Sequence, residues 1–502
     1  MPPRHGLVAA ALALLLVSAG CAAPATNPNA DADDSGSDAP TPATPGENFS
    51  DPETDVLGWE DGYWYDEPID VDQSDGLSDT ELRAFVGRAM ARVEYIRHKE
   101  FRERVSVESL SRAAYRNRST GTPSSSSGPS EFDQWNNQVW EALFITGETE
   151  DSQSTISGTR DSAVAGFYSP RDDQIKIITN SPDSPTINNA TLVHELVHAL
   201  QDQHYDLTKR KYSGETQDGD LAVDGAVEGD AKYVELRYDE MCEGEWSCVP
   251  APQRGQSSES SSSDGRNYGI FLTIFQPYSD GPVFISEHYQ SGGWEAVDDQ
   301  LENPPESTEQ VIHGTDDEPV PIAFRDRGRN GWSTFESQGQ DGSDTVGEAS
   351  IFSMFWYQAR TTGADTVNPR GLFQPDSRYD TYNYDAKPSN GWGNDRLFPY
   401  KKGSGDAAEQ NSAGNQTQSG DAREFGYVWV TEWDSEADAR QFQNAYRNML
   451  SAHDATERGE NTYVVPDGEF EDAFRVTRDG TRVVIVNGPD PGDLNDIRPR
   501  DA

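Results

Sequence analysis

The sequence predicts an α+β protein, a helix-rich domain over residues 78–330 followed by a C-terminal α+β region over 331–502. Three observations carry this. Apolar residues recur at helical spacing in long stretches such as 82–93 and 189–206, whereas short β-branched runs bounded by turn residues, such as 165–179 and 474–486, have the pattern of hairpins. The chain carries a net charge of −48 and a mean hydropathy of −0.80, values typical of disorder. Yet 11 Trp, 20 Tyr and 19 Phe supply more bulky apolar surface than disordered chains carry, so a core is expected, with the acid on its outside.

The elements follow in order. Arg4 and His5 precede an apolar run at 7–17, too short to span a bilayer and suited to an export signal over residues 1–20. Ser18-Ala19-Gly20-Cys21 resembles the lipobox of exported lipoproteins, which makes Cys21 the expected lipidated N-terminus and membrane anchor; ordinary signal cleavage is the alternative. No other stretch reaches the apolar length of a membrane helix, so the protein is expected outside the cell, lipid-anchored at its surface. Residues 21–77 are rich in Asp, Pro, Ser, Thr and Gly, with no Lys or Arg between Arg4 and Arg83, and are expected to form a disordered acidic tether. Within them, the aromatic patch from Trp59 to Tyr65 is placed to dock on the folded part.

Ser78 and Glu81 form a capping box ahead of Leu82, Phe85, Val86, Ala89 and Val93 at helical spacing. After a Ser/Gly interruption at 119–130, residues 132–144 read as a helix, and 165–170 with 174–179 as a hairpin. Helices are expected at 189–206 and 218–240. Cys242 and Cys248, with five residues between them around a Gly-containing turn, most simply form a local disulfide in an exported chain. A low-complexity insertion at 256–265 precedes a helical stretch at 268–300 that Gly292-Gly293 interrupts. Residues 348–360 are helical, 401–422 read as a linker, 425–433 as a strand, 434–450 as an amphipathic helix, and 474–486 as a hairpin through Asp479-Gly480.

The charge excludes functions that need a basic surface: a chain this acidic is repelled by nucleic acid and by anionic membranes. Only eight of its 40 basic residues are Lys, and that imbalance with the acidic excess resembles the proteins of salt-in halophiles, in which molar salt screens like-charge repulsion.

Of eight histidines, three fall within eleven residues: His194, His198 and His204. In His194-Glu195-Leu196-Val197-His198, positions four apart on a helix lie about 40° apart in azimuth, so both imidazoles reach one zinc ion. Glu195 projects beside them, where a carboxylate can take a proton from an attacking water and return it to a leaving amine. Leu192, Val193, Leu196, Val197 and Leu200 form the stripe that would bury the helix. Two residues compete as third ligand. His204 has the spacing of the H-E-x-x-H-x-x-G-x-x-H signature, but Gln201 stands at the glycine that would let the chain turn back. Glu228, on the next predicted helix among Gly225, Ala226, Gly229 and Ala231, is the preferred choice. Those small neighbours would let its helix approach closely, giving an open His2Glu site.

H-E-x-x-H with a downstream Glu in Glu228-Gly229-Asp230-Ala231 resembles the gluzincin branch of zincin metallopeptidases. The wider pattern, 194–203 followed by 304–313 with its Pro-Pro-Glu-Ser-Thr-Glu run, resembles a group of haloarchaeal surface lipoproteins and bacterial relatives regarded as metallopeptidases. The resemblance covers roughly residues 78–490. It implies a zincin-like domain, a peptide or protein substrate, and a strand before the motif helix that forms the cleft edge, a part open to 165–179. Gluzincins often carry an Asp four residues after the ligand Glu; here that residue is Lys232, which leaves Asp224 or Asp230 to orient an imidazole. His288, His313, Tyr278 and Tyr233 are candidate oxyanion donors. Two rival readings are a non-catalytic surface protein that keeps the fold and a binding module in which Trp392, Trp429 and Trp433 stack on glycans.

Overall fold

The computed structural model describes residues 40–119, 128–161, 164–252, 266–403, 424–459 and 461–500. The predicted signal at 1–20, Cys21, the start of the tether, the insertion at 256–265 and most of the 401–422 linker lie outside the described residues. Among those described, no helix is long and apolar enough to cross a membrane.

The fold is α+β, as its sequence pattern predicts. In the first half, a two-stranded hairpin, β1 (Trp59–Glu60) and β2 (Tyr63–Trp64), precedes α1 (Asp79–Arg97), which starts at the Ser78/Glu81 capping box. Then come β3 (Ser106–Ser111), α2 (Arg112–Ser119), α3 (Glu131–Ala142), α4 (Ser152–Asp161), β4 (Gly166–Ser169) and β5 (Gln174–Thr179). Four helices follow: α5 (Asn189–Tyr205), α6 (Gln217–Gly244), α7 (Tyr268–Glu302, broken at Gly292 and Gly293) and α8 (Thr308–His313). The small sheet has the order β3-β5-β4, with β3 parallel to β5 and β4 antiparallel to it at an edge. Val86, Met90 and Val93 of α1, the Leu192–Leu200 stripe of α5 and Val223, Val227 and Val234 of α6 share one core with Ile175 and Ile177 of β5.

The second half holds β6 (Trp332–Thr334), α9 (Gly347–Thr361), β7 (Trp392–Lys402), β8 (Phe425–Trp433), α10 (Glu436–Ala452), β9 (Thr456–Glu457), β10 (Thr462–Val464), β11 (Ala473–Asp479), β12 (Arg482–Gly488) and α11 (Asp493–Ile497). Its strands form one antiparallel sheet in the order β6-β7-β8-β12-β11-β10-β9. Alternation along the strands divides the apolar residues between its faces. Leu397, Tyr427, Trp429, Val476 and Ile485 face α10, α9 and α3, while Phe398, Val428, Val430 and Val486 meet α11 and Ile322.

Four expectations need correction. The tether ends sooner than residue 77: from residue 40 the chain is placed against the folded part, with Leu57, Trp64 and Leu77 buried. The Gly58 N–H donates to the buried Glu94 carboxylate, and Arg92 Nε donates to the Tyr65 carbonyl, so α1 holds this acidic segment by its backbone. The boundary at 330/331 is crossed, because Trp135, Val139, Trp140 and Ile156 of α3 and α4 lie in the core of the C-terminal sheet. Trp392, Trp429 and Trp433 are also in that core, with the indoles of the first two donating to Asp395, so they offer no face to a glycan. Finally, β3 and β7 escape the pattern. β7 contains Gly393, Asn394, Asp395 and Pro399, which read as turn residues. Its proline is tolerated because it lies between the β6 pairing at Tyr400 and the Asp344 bridge at Leu397, where no partner needs its N–H.

Candidate metal centre

Helix α5 runs through the middle of the first core. Its apolar stripe is buried as expected, and its polar face is buried as well: His194 is 6% exposed, and Glu195 and His198 are 0%. The polar face is enclosed because α6 and α7 approach each other through glycines. A Cβ on Gly229 would lie 2.5 Å from the Gly281 carbonyl carbon, and one on Gly281 would lie 2.5 Å from the Gly225 carbonyl oxygen. Gly225 and Gly229 therefore face α8 and α7, not the histidines, and their effect is to bring α7 over the site.

Glu228 Oε2 lies 3.0 Å from His194 Nε2 and 3.1 Å from His198 Nε2. The three donor atoms lie within 4.8 Å of one another. Ligands bonded at 2.0–2.1 Å to a tetrahedral ion are separated by about 3.3 Å, so the cluster needs only slight opening to hold one. His204 is not part of it. With no glycine at 201, α5 continues to Tyr205 and carries His204 round to the Glu100 carbonyl, 2.8 Å from Nε2.

Each imidazole is oriented by its other nitrogen. His194 Nδ1 donates to Glu235 Oε2 at 3.2 Å, and Lys232 holds the second Glu235 oxygen at 2.6 Å. Lys232, the departure from the gluzincin pattern, thus supports a carboxylate one turn further on. His198 Nδ1 donates to Gln201 Oε1 at 2.9 Å, while Gln201 Nε2 donates to the Val227 carbonyl and to Asp230 Oδ2. Asp230 is in turn clamped by buried Arg97 of α1, which also reaches Asp298. Neither Asp224 nor Asp230 touches a ring directly, and Glu235 and Gln201 take the role expected of them. Sequence reasoning missed both, although each lies one helical turn or two from a ligand.

The electrostatics couple the rings to the carboxylates. Burial opposes ionisation throughout, yet the two imidazoles hold the Glu228 carboxyl down to about 2. Burial pulls His194 down, but Glu228 and Glu235 raise it to about 10, and His198 is raised by Glu228 in the same way. The Glu195 carboxyl is lifted above its ordinary range by burial, and Glu228 adds to this. Its Oε2 accepts the Tyr168 N–H of edge strand β4 at 2.7 Å, whereas buried Oε1 has no partner among the described residues. Tyr168 also ties β4 to α5 through its hydroxyl, which donates to Asp202 Oδ2.

Of the four candidate oxyanion donors, only Tyr278 reaches the cluster. Its ring stacks on His194 at 6.1 Å, and burial together with the neighbouring Glu228 raises its buried hydroxyl well above its ordinary range. Tyr233 packs among Tyr289, Trp294 and Tyr379, His288 lies against Phe284, and His313 pairs with Glu348. Cys242 and Cys248 form the disulfide at the end of α6, with a Cα–Cα distance of 5.6 Å, where Arg92 joins it to α1.

A family model described as a domain of unknown function (DUF8575) matches residues 333–498, the C-terminal sheet and its helices, and does not extend to the histidine cluster. No curated protein and no solved structure matches the chain.

Proposed function

We propose that the chain is a zinc-dependent peptidase with a zincin-like domain, exported and anchored outside the cell by a lipid on Cys21. One observation carries the catalytic reading: Glu228 Oε2 lies within 3.1 Å of both histidine Nε2 atoms, with the free oxygen of Glu195 buried beside them. Held by His194, His198 and Glu228, zinc would supply Lewis-acid polarisation and lower the pKa of a water.

The remaining chemistry belongs to the chain. The Tyr168 N–H fixes one oxygen of Glu195, so Oε1 is left to take the proton from the attacking water. Burial, which raises the Glu195 carboxyl above its ordinary range, makes it a better base for that proton, which it then passes to the more basic leaving amine. The Tyr278 hydroxyl, buried beside Glu228, is placed to donate to the charge that develops on the carbonyl oxygen. An extended peptide fits the exposed edge of β4, which borders the motif helix. The Cys242–Cys248 disulfide supports an oxidising location.

Burial of all four side chains, none more than 6% exposed, favours a second reading in which the site holds its metal for stability alone. Glu195→Gln separates the two. The peptidase reading expects one zinc per chain in both proteins and turnover of a mixed peptide library at least about 100-fold slower in the variant. Zinc in both with no turnover in either leaves the structural reading, and equal turnover in both removes Glu195 from the mechanism.

A further inference from the structure

Helix α4 leads into β4, the edge strand whose Tyr168 N–H holds Glu195, and it packs on α7, which carries Tyr278. Its last turn carries Arg160. The groups that act most on this guanidinium come from three sides: Asp224 and Asp220 from α6, Tyr278 from α7 and Tyr115 from α2. Tyr115 lies against Phe167 of β4, with ring centroids 5.8 Å apart. Asp224 in turn faces the metal cluster, since Glu228 and His198 act on it. Arg160 is therefore a neighbour of the groups that border the metal ligands, and neither Glu195 nor Glu228 counts it among the charges that act on it most.

What singles this residue out is the want of a partner. Its Nε is buried without a hydrogen bond, and no acid comes within ion-pair distance of it among the described residues, although the residue as a whole is only half-buried. The buried arginines of α1 differ: Arg88 donates to the Glu67 carbonyl, Arg92 to the Tyr65 carbonyl, and Arg97 pairs with Asp230 and Asp298. Burial pulls the Arg160 guanidinium down although two acids oppose it, as expected of a cation without a contact partner. Burial, Glu228 and Asp220 together push the Asp224 carboxyl well above its ordinary range, so the acid that acts most on Arg160 does not cancel its charge.

We propose that Arg160 sets the specificity of the peptidase by receiving a carboxylate of the substrate close to the scissile bond. The role rests on the peptidase reading above and supplies its substrate class: peptides with an acidic group near the cleaved bond, either the free C-terminus or an Asp or Glu side chain. A partly desolvated guanidinium offers a carboxylate two parallel N–H bonds in a fixed fork. The rest of the molecule opposes such a ligand, because a chain of net charge −48 repels anions, so a preference for them has to arise at a local cation. Salt screens the surface charge but acts much less on a pair closed off from solvent.

The zinc-loaded full-length chain is assayed in high salt on a peptide series that carries Glu or Gln at each position in turn, every member with a free and with an amidated C-terminus. One carboxylate should raise kcat/KM at least about tenfold over its amide, chiefly through KM. If that carboxylate is the C-terminus the enzyme is a carboxypeptidase, and if it is a side chain the enzyme is an endopeptidase with an acidic subsite. Arg160→Gln should bring the ratio near one with zinc content and melting temperature kept, and Arg160→Lys should keep part of the ratio. A purely structural Arg160 would instead lower turnover of every peptide alike and leave the ratio intact. Turnover without a carboxylate preference, or a preference that survives Arg160→Gln, overturns the role of Arg160 alone. No turnover of any peptide by the parent overturns the peptidase reading and this role with it.

Discussion

Gln201 offers the sharpest test of the metal centre, because it stands where a glycine would have released the chain and instead holds His198. Its amide makes three bonds, at 2.9 Å from His198 Nδ1, 2.9 Å to the Val227 carbonyl and 3.0 Å to Asp230 Oδ2. Gln201→Leu keeps the volume and removes all three. His198 Nδ1–H then has no acceptor in a wholly buried position, so its ring loses both orientation and basicity. Loss of such a partner typically weakens metal binding 10–100-fold, about 1.4–2.7 kcal/mol. The metal-free fold should lose about 1–3 kcal/mol from the unpaired buried groups. Gln201→Glu separates these effects: it still accepts from His198, but sets a carboxylate against Asp230 and the Val227 carbonyl. Competition with a chromophoric zinc chelator gives the affinities, and melting of the chelator-treated protein gives the stabilities. Gln201→Leu should raise the zinc Kd at least tenfold, and Gln201→Glu should bind zinc like the parent while melting lower. A Gln201→Leu protein that binds zinc as tightly as the parent would refute the view that this amide orients the ligand.

Three further outcomes are expected. Tyr278→Phe should retain zinc and lower kcat about 100-fold with little change in KM, as for loss of one oxyanion donor; peptide kinetics beside a zinc count decide this. Gly229→Ala should melt lower than the parent, because its methyl would sit 2.5 Å from the Gly281 carbonyl carbon and force α6 from α7 by roughly 1 Å, an overpacking cost of ~1–3 kcal/mol. Burial pulls the His313 imidazole down, but Glu348 holds it up to about 9, above its unfolded value. The pair therefore stabilises fully below about pH 6.5 and fades as pH rises to about 9. Melting temperature against pH should show that loss in the parent and a flatter profile in His313→Gln.

Helix and hairpin positions were legible wherever periodicity was uninterrupted. α5, α6, β8, β11 and β12 begin and end within a few residues of the pattern, and even the Gly292-Gly293 break in α7 was visible. β7 was hidden because a strand bonded along most of both edges tolerates Pro399 only at a register the sequence does not display. Residues 40–77 were hidden for another reason: an acidic segment with little apolar area looks like tether. Here its backbone donates to Glu94 and accepts from Arg92, whose own sequence context says nothing of it.

The sequence by itself determined the donor types and their spacing, because a helix places residues four apart on one face whatever surrounds it. His194, Glu195 and His198 required no tertiary information, nor did the pairing of two neighbouring cysteines. Tertiary structure decided everything that depends on which helices meet. It chose Glu228 over His204, since α6 returns across α5 while α5 itself does not turn back. It also brought Glu235, Gln201 and Tyr278 to the rings and buried Trp392, Trp429 and Trp433. It set Glu141 beside Asp472 across 331 residues of chain, a closeness that periodicity cannot encode because it arises only when two distant surfaces pack.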